Sequence, residues 1–368
     1  MAGKKIIPWL DTVRVLSAFA VIVGHYASCF DAFVHFDKLR LFFLYAGNIG
    51  VFLFFVLSGY LIPPSLSRSS NLWSFYKRKL IRVVVPFTVC YLVLGTALAM
   101  CGLIQPKVAE LSPLYRAIYE GGFSLGKILA LFPVDVNLVK FVGLPLEWFV
   151  GEWFMGVLLW LYLISPILNK LVYRAPLVTF AATVLISTGT FYAVEDFVLQ
   201  GRIITGWWLF PARIPEFFFG MMLFVYKDFL ERYRRKILPI VTVWFIVGFV
   251  VSIVYYSEIP SFVLRLFPIE PRSFLMTLPA SYLLFVLAAW LNEKFPLVLA
   301  KFNGFSDVSY ITMLTQHMVL YIFAIQFRFQ DLHTFGLMLM FCLVTFTIIR
   351  LSEWIKKFSD PVENSFRR

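Results

Sequence analysis

Charge is scarce in this 368-residue chain. Asp, Glu, Lys and Arg together make up 15% of it, against about 25% in average usage. That is too little to cover a water-facing exterior, so a soluble globular protein is excluded. Segments of about ten alternating residues do not dominate either, which argues against a membrane β-barrel. The four cysteines, Cys29, Cys90, Cys101 and Cys342, are scattered in or near apolar runs without metal-ligand spacing. They read as apolar filler, and no metal site is expected. The first apolar run has no small-residue cleavage site behind it and carries Arg14, so it reads as a retained span and not as a signal peptide. No internal repeat is evident.

Apolar residues fill the space that charge leaves. They make up 60% of the chain, with a mean hydropathy of +0.82. They fall in runs of roughly 20, the length a helix needs to cross about 30 Å of hydrocarbon. In lipid the backbone must satisfy its own hydrogen bonds, so these runs are helices. The sequence predicts an all-α polytopic bundle of ten spans, at about 8–30, 41–63, 80–103, 147–169, 176–195, 206–226, 237–257, 273–291, 309–328 and 334–355. Residues 104–146 form the longest connection, with an apolar piece over Phe123–Pro133.

The surplus of base has two readings. A net charge of +12 and a pI near 9.5 suit nucleic acid in a soluble protein. In a membrane protein they suit basic loops that fix topology and touch anionic lipid. With the N-terminus placed inside, 20 of the 33 basic residues fall in inside segments and ten in outside ones. The other three, Arg14, Arg213 and Arg350, lie within spans. The positive-inside rule then puts both termini in the cytoplasm of a cell bounded by this plasma (inner) membrane. Membrane lipids are the expected partners, and nucleic acid is not.

An ionisable side chain at membrane depth costs at least about 2.5–3.5 kcal/mol on insertion scales, so it needs a partner or a watery cavity. Span one carries Asp11, Arg14 and His25. Eleven residues separate Arg14 from His25, three helical turns plus about 20°, so the two share a face about 16 Å apart. The plainer alternative is an Arg that snorkels to the headgroups and a His that bonds a neighbouring helix.

Span two ends in Phe54-Phe-Val-Leu-Ser-Gly-Tyr60. Ser58-Gly59 reads first as a small-residue packing notch, and no base for a Ser58 nucleophile is evident nearby in sequence. The stretch Lys77-Arg-Lys-Leu-Ile-Arg82 enters span three, either as an inside anchor or as an anion site for a donor's phosphates. Glu147, Glu152 and Trp153 open span four on the outer side. Arg213 and Glu216 in span six stand at i and i+3, where they can pair on one face. His317 falls near the middle of span nine, beside Gln316. His35 and His333 lie in loops and receive no role.

Taken in order, these pieces resemble the acyltransferase-3 family of integral membrane acyltransferases over nearly the whole chain. The likeness rests on Arg14 and His25, residues 54–60, the basic stretch entering span three, Glu152-Trp-Phe with Tyr162-Leu-Ile-Ser-Pro166, residues 213–220, and Ser309-Tyr with His317. It departs at Lys79, where the family often has Arg, and after His317, where the family's proline is replaced by Met318, Val319 and Leu320.

The resemblance implies transfer of an acyl group, commonly acetyl, from cytoplasmic acyl-coenzyme A to a hydroxyl of a cell-surface or lipid-linked glycan. Acyl-coenzyme A would be a co-substrate, with no cofactor permanently bound. The expected assignments are His25, Arg14 and Glu216 in catalysis; Arg14, Lys79, Arg82 and Ser58 at the donor; and Glu152, Trp153, Arg213 and His317 at the acceptor. The chain is expected to form one acyltransferase domain over 1–368 without an extracytoplasmic C-terminal esterase. It would act alone, as a homo-oligomer, or by passing its acyl group to a partner acyltransferase. A glycan exporter and a non-catalytic scaffold are the competing classes. Paired repeats of the kind many transporters show are not evident.

Overall fold

The structure is a computed structural model that describes residues 8–29, 37–101, 152–199, 208–257, 272–326 and 334–367. Among these residues all regular structure is helical. In chain order the helices are α1 (Pro8–Cys29), α2 (Asp37–Tyr60), α3 (Ile62–Ser67), α4 (Leu72–Cys101), α5 (Glu152–Arg174), α6 (Pro176–Leu199) and α7 (Ile214–Val225). They continue with α8 (Lys227–Arg232), α9 (Arg234–Ser257), α10 (Leu278–Lys294), α11 (Pro296–Asn303), α12 (Ser309–Gln326) and α13 (Thr334–Arg367). A 3₁₀ turn, Phe210–Arg213, leads into α7, and another, Gly304–Asp307, leads into α12. The interfacial piece expected at Phe123–Pro133 lies outside the described residues, as does Glu147.

Among the described residues, seven helices are long and apolar enough to cross a membrane. These are α1, α2 with α3, α4, α5, α6, α10 and α13. The other three expected spans fall on helices α7, α9 and α12. Helix α7 has only 12 residues, about 18 Å of rise. Helix α9 opens on Arg234, Arg235 and Lys236 and continues as an apolar run without further charge, and α12 carries Thr312, Thr315, Gln316 and His317.

Two boundaries differ from the sequence expectation. Helix α4 starts at Leu72, not near residue 80, because a reciprocal cap begins it there. The Ser74 N–H donates to the Asn71 side-chain oxygen at 2.8 Å, and the Asn71 N–H reaches the Ser74 hydroxyl at 3.4 Å. The basic stretch is therefore part of the helix and keeps a fixed face. Helix α13 runs to Arg367, not to about 355. Its 34 residues rise about 51 Å, well beyond a hydrocarbon core of about 30 Å.

Small residues draw the central helices together. A Cβ on Gly59 of α2 would overlap the Phe217 carbonyl of α7, and one on Gly220 of α7 would overlap the Val56 carbonyl of α2. The two helices thus meet backbone to backbone, as small residues allow in membranes. Gly59→Ala should cost about 1–3 kcal/mol through overpacking and lower the folded yield in detergent. Gly189→Ala in α6 is the control. Nothing lies within 4 Å of its added methyl group, so a better helix former should stabilise by about 0.5–1 kcal/mol. Thermal unfolding of the two variants in one detergent tests both signs.

Helices α6 and α13 bury little and expose Leu177, Val178, Leu185, Phe335, Met338 and Phe346, which suits contact with lipid. Helices α1, α2, α4, α5, α7 and α12 supply the main apolar core, which includes Phe54, Phe55, Phe154, Phe217 and Leu314.

Candidate functional site

The beginning of α1 and the end of α13 meet at one end of the bundle, where both line a cavity of about 1390 Å³. Pockets for drug-sized ligands run to roughly 300–1,000 Å³, so this one has room for something larger. Its walls carry six cations, Arg14, Arg68, Arg78, Lys79, Arg82 and Lys356, against four carboxylates, Asp11, Asp307, Asp360 and Glu363. Arg14 is paired with Asp11, one turn before it. Arg68 donates to the Pro64 carbonyl at 2.8 Å, and Arg78 donates to the Ser69 hydroxyl.

Lys79 is buried at 7% exposure. Its ammonium lies 4.8 Å from the Tyr162 ring centre and 5.8 Å from that of Phe75. The two π faces stabilise a cation held out of bulk water. Among the described residues neither Arg68, Arg78 nor Lys79 has a carboxylate partner. The early start of α4 explains this clustering. Arg78, Lys79 and Arg82 ride on a formed helix within about one turn, so all three face one cavity. Ser58 lines it as well, and is hydrogen-bonded to Tyr162.

The wall at the start of α1 is braced by side-chain amides. The Asn292 amide donates to the Thr12 hydroxyl at 2.7 Å, and that hydroxyl lies 2.7 Å from the Asn303 side-chain oxygen. The Asn303 amide donates to Asn292 and to the Pro8 carbonyl, each at 3.0 Å. This network ties α1 to α10 and α11 one residue from Asp11 and two from Arg14.

The histidines lie elsewhere. The His25 ring on α1 and the His317 ring on α12 meet edge to face, 5.1 Å between centres. His317 in turn meets Tyr321 at 4.6 Å. His25 Nδ1 is 3.1 Å from the Val21 carbonyl. A carbonyl only accepts, so Nδ1 carries the hydrogen and Nε2 keeps the lone pair. The cavity lining includes Arg14 but neither histidine. On the α1 face between Arg14 and His25 stand Ala18 and Val21, in one apolar cluster with the cavity-lining Phe54, Phe154, Leu158 and Ile311. The common hydrated channel expected from the shared face is thus interrupted by an apolar stretch.

Two further expected groups take other positions. Arg213 and Glu216 are both fully buried and paired at 2.8 Å, with the guanidinium 4.4 Å from the Phe52 ring centre. The i,i+3 pair read from the sequence is present, at the junction of the 3₁₀ turn and α7. Trp153 stacks on Trp208, 5.4 Å between centres and 15° between planes. Glu152 is the first residue of α5.

The expected site residues therefore form four groups. Arg14, Ser58, Lys79 and Arg82 line the cavity; apart from them stand the histidine pair His25 and His317, the buried ion pair Arg213 and Glu216, and Trp153 stacked on Trp208. Sequence reasoning missed Tyr162, Asn292, Asp307, Asp360 and Glu363 as cavity residues. It also did not pair His25 with His317.

Searches of curated proteins and of solved structures returned no significant match. A family model described as an acyltransferase domain matches residues 7–352, a range that takes in the cationic cavity's α1 to α12 walls, the histidine pair and the α7 ion pair. The chain belongs to the acyltransferase-3 family of membrane acyltransferases.

Proposed function

We propose that the protein transfers an acyl group, acetyl in the simplest case, from cytoplasmic acyl-coenzyme A to a hydroxyl of a cell-surface or lipid-linked glycan. The observation that carries this reading is the gathering of Arg14, Arg68, Arg78, Lys79 and Arg82 in one large cavity at the start of the helix that bears His25. Guanidinium and ammonium groups suit phosphate oxygens, and this volume suits a nucleotide thioester. In this reading ten helices cross the plasma (inner) membrane and the cavity end faces the cytoplasm, in line with the bias of basic residues.

The pantetheine arm would then follow α1 toward His25, parting the apolar packing around Ala18 and Val21 as it enters. The thioester would lie near His25. The acceptor hydroxyl gives its proton to Nε2 as its oxygen attacks the thioester carbonyl. The carbon–sulfur bond breaks, and coenzyme A leaves as the thiol with that proton. His317 and Trp153 would hold the acceptor, and Glu216, paired with Arg213, would shape its pocket.

The test uses purified full-length protein and labelled acetyl-coenzyme A, with surface-glycan acyl content compared by mass spectrometry in cells with and without the gene. Arg82→Gln should raise the KM for the donor by about tenfold, the loss of one charged hydrogen bond, with little change in kcat. Glycan acylation that is unchanged when the gene is deleted would remove the proposal. Transport of unmodified glycan into vesicles without acyl-coenzyme A would replace it with an exporter.

A further inference from the structure

The cavity is divided by charge. Five of its six cations lie on α1, just past the end of α3 and on α4, and the sixth, Lys356, is on α13. Another part of the lining, formed by the 3₁₀ turn before α12 and the last turns of α13, carries Asp307, Ser359, Asp360 and Glu363. This part of α13 is the length that extends past a membrane core. Lys356, which also lines the cavity, bridges two of these carboxylates, 3.6 Å from Asp307 and 3.7 Å from Asp360. It offsets part of the negative charge and holds the two carboxylates near each other.

Ser359 shows that this wall is not merely a solvated helix end. It is 1% exposed, lines the cavity, and its hydroxyl has no hydrogen-bond partner among the described residues. Two other hydroxyls on α13 are satisfied by their own helix, while that of Thr345, which does not line the cavity, also has no partner among the described residues. Ser352 donates to Ile348 at 2.7 Å and Thr347 to Leu343 at 2.9 Å. A buried hydroxyl left unpaired costs free energy, so one retained in a cavity wall suits a ligand group.

A wall of carboxylates and a hydroxyl repels phosphate but accepts hydrogen bonds from amines and hydroxyls. We propose that the α13 end reads the nucleoside of the donor: Asp307, Asp360, Glu363 and Ser359 bind its exocyclic amine and ribose hydroxyl, while the cations of the same cavity hold its phosphates. This rests on the acyl-coenzyme A reading above. It makes the end of α13 a determinant of specificity for a nucleotide-linked donor over a bare phosphopantetheine thioester.

The test measures affinities of the purified full chain for coenzyme A and for 4′-phosphopantetheine by titration calorimetry. Asp360→Ala with Glu363→Ala should weaken coenzyme A binding by about tenfold and leave phosphopantetheine within about twofold, the loss of hydrogen bonds to charged acceptors. The sign is decisive. If the carboxylates only faced phosphate, removing them would tighten coenzyme A binding, and that result overturns the proposal. Equal weakening toward both ligands overturns it as well, because the wall would then be a structural prop. The native protein provides a check that needs no variant: equal affinity for the two ligands defeats nucleoside recognition alone. Binding of neither ligand defeats the acyl-coenzyme A reading and this inference with it.

Discussion

His25→Ala should abolish acyl transfer while leaving expression and membrane insertion intact. General-base catalysis is worth typically about 10²–10⁴ in rate, and in the proposed mechanism His25 supplies it. Its Nδ1 hydrogen is spent on the Val21 carbonyl one turn earlier at 3.1 Å, which fixes the ring and leaves Nε2 as the acceptor. The His317 ring packs edge to face against it, 5.1 Å away between centres. His25→Asn refines the test, because the asparagine amide can keep the bond to Val21 but has no basic nitrogen. Loss of activity equal to that of the alanine variant assigns the chemistry to the imidazole. An active asparagine variant would reduce His25 to a helix-packing residue. His317→Ala should cost less than His25→Ala. Single-turnover transfer from labelled acetyl-coenzyme A, normalised to folded protein, measures all three.

Residues that act within one helix turn were legible in the sequence, and those brought together by packing were not. Arg213 and Glu216 could be paired from i,i+3 spacing alone. The Gly59 notch could be read because a small residue in a run of phenylalanines has few other uses. The helices α1, α2, α5, α6, α10 and α13 announced themselves by long apolar runs. The start of α4 did not, because its Asn71–Ser74 cap lies in a polar stretch and the basic residues that follow lower the local hydropathy. Their stems can lie along the bundle while their heads reach the cavity. The end of α13 was hidden for a related reason. Hydropathy ends near residue 355, but the helix continues as a polar rod, so its carboxylates fell outside the expected span. The His25–His317 contact joins α1 to α12, and only the packing of those helices puts the rings in reach.

The buried ion pair of α7 should produce the largest change in stability. Arg213 and Glu216 are both fully buried and sit 2.8 Å apart, where the bundle excludes water that would otherwise solvate them. Glu216→Gln leaves the guanidinium charged without its counter-ion, against the Phe52 ring. Breaking a buried pair from one side costs about 3–5 kcal/mol, a large share of typical stability. The variant should unfold at markedly lower temperature in detergent and give little monodisperse protein. Arg213→Met, which strands the carboxylate, should do the same. The double variant Arg213→Met with Glu216→Leu should recover most of the loss, since apolar replacement of both partners is often neutral or better. A double variant no more stable than the singles would mean that the pair anchors more than its own charges. Acyl transfer measured on the recovered double variant then separates two roles. If transfer stays absent in a well-folded protein, Glu216 takes part in the chemistry, and if transfer returns, the pair serves only to hold α7 against α2.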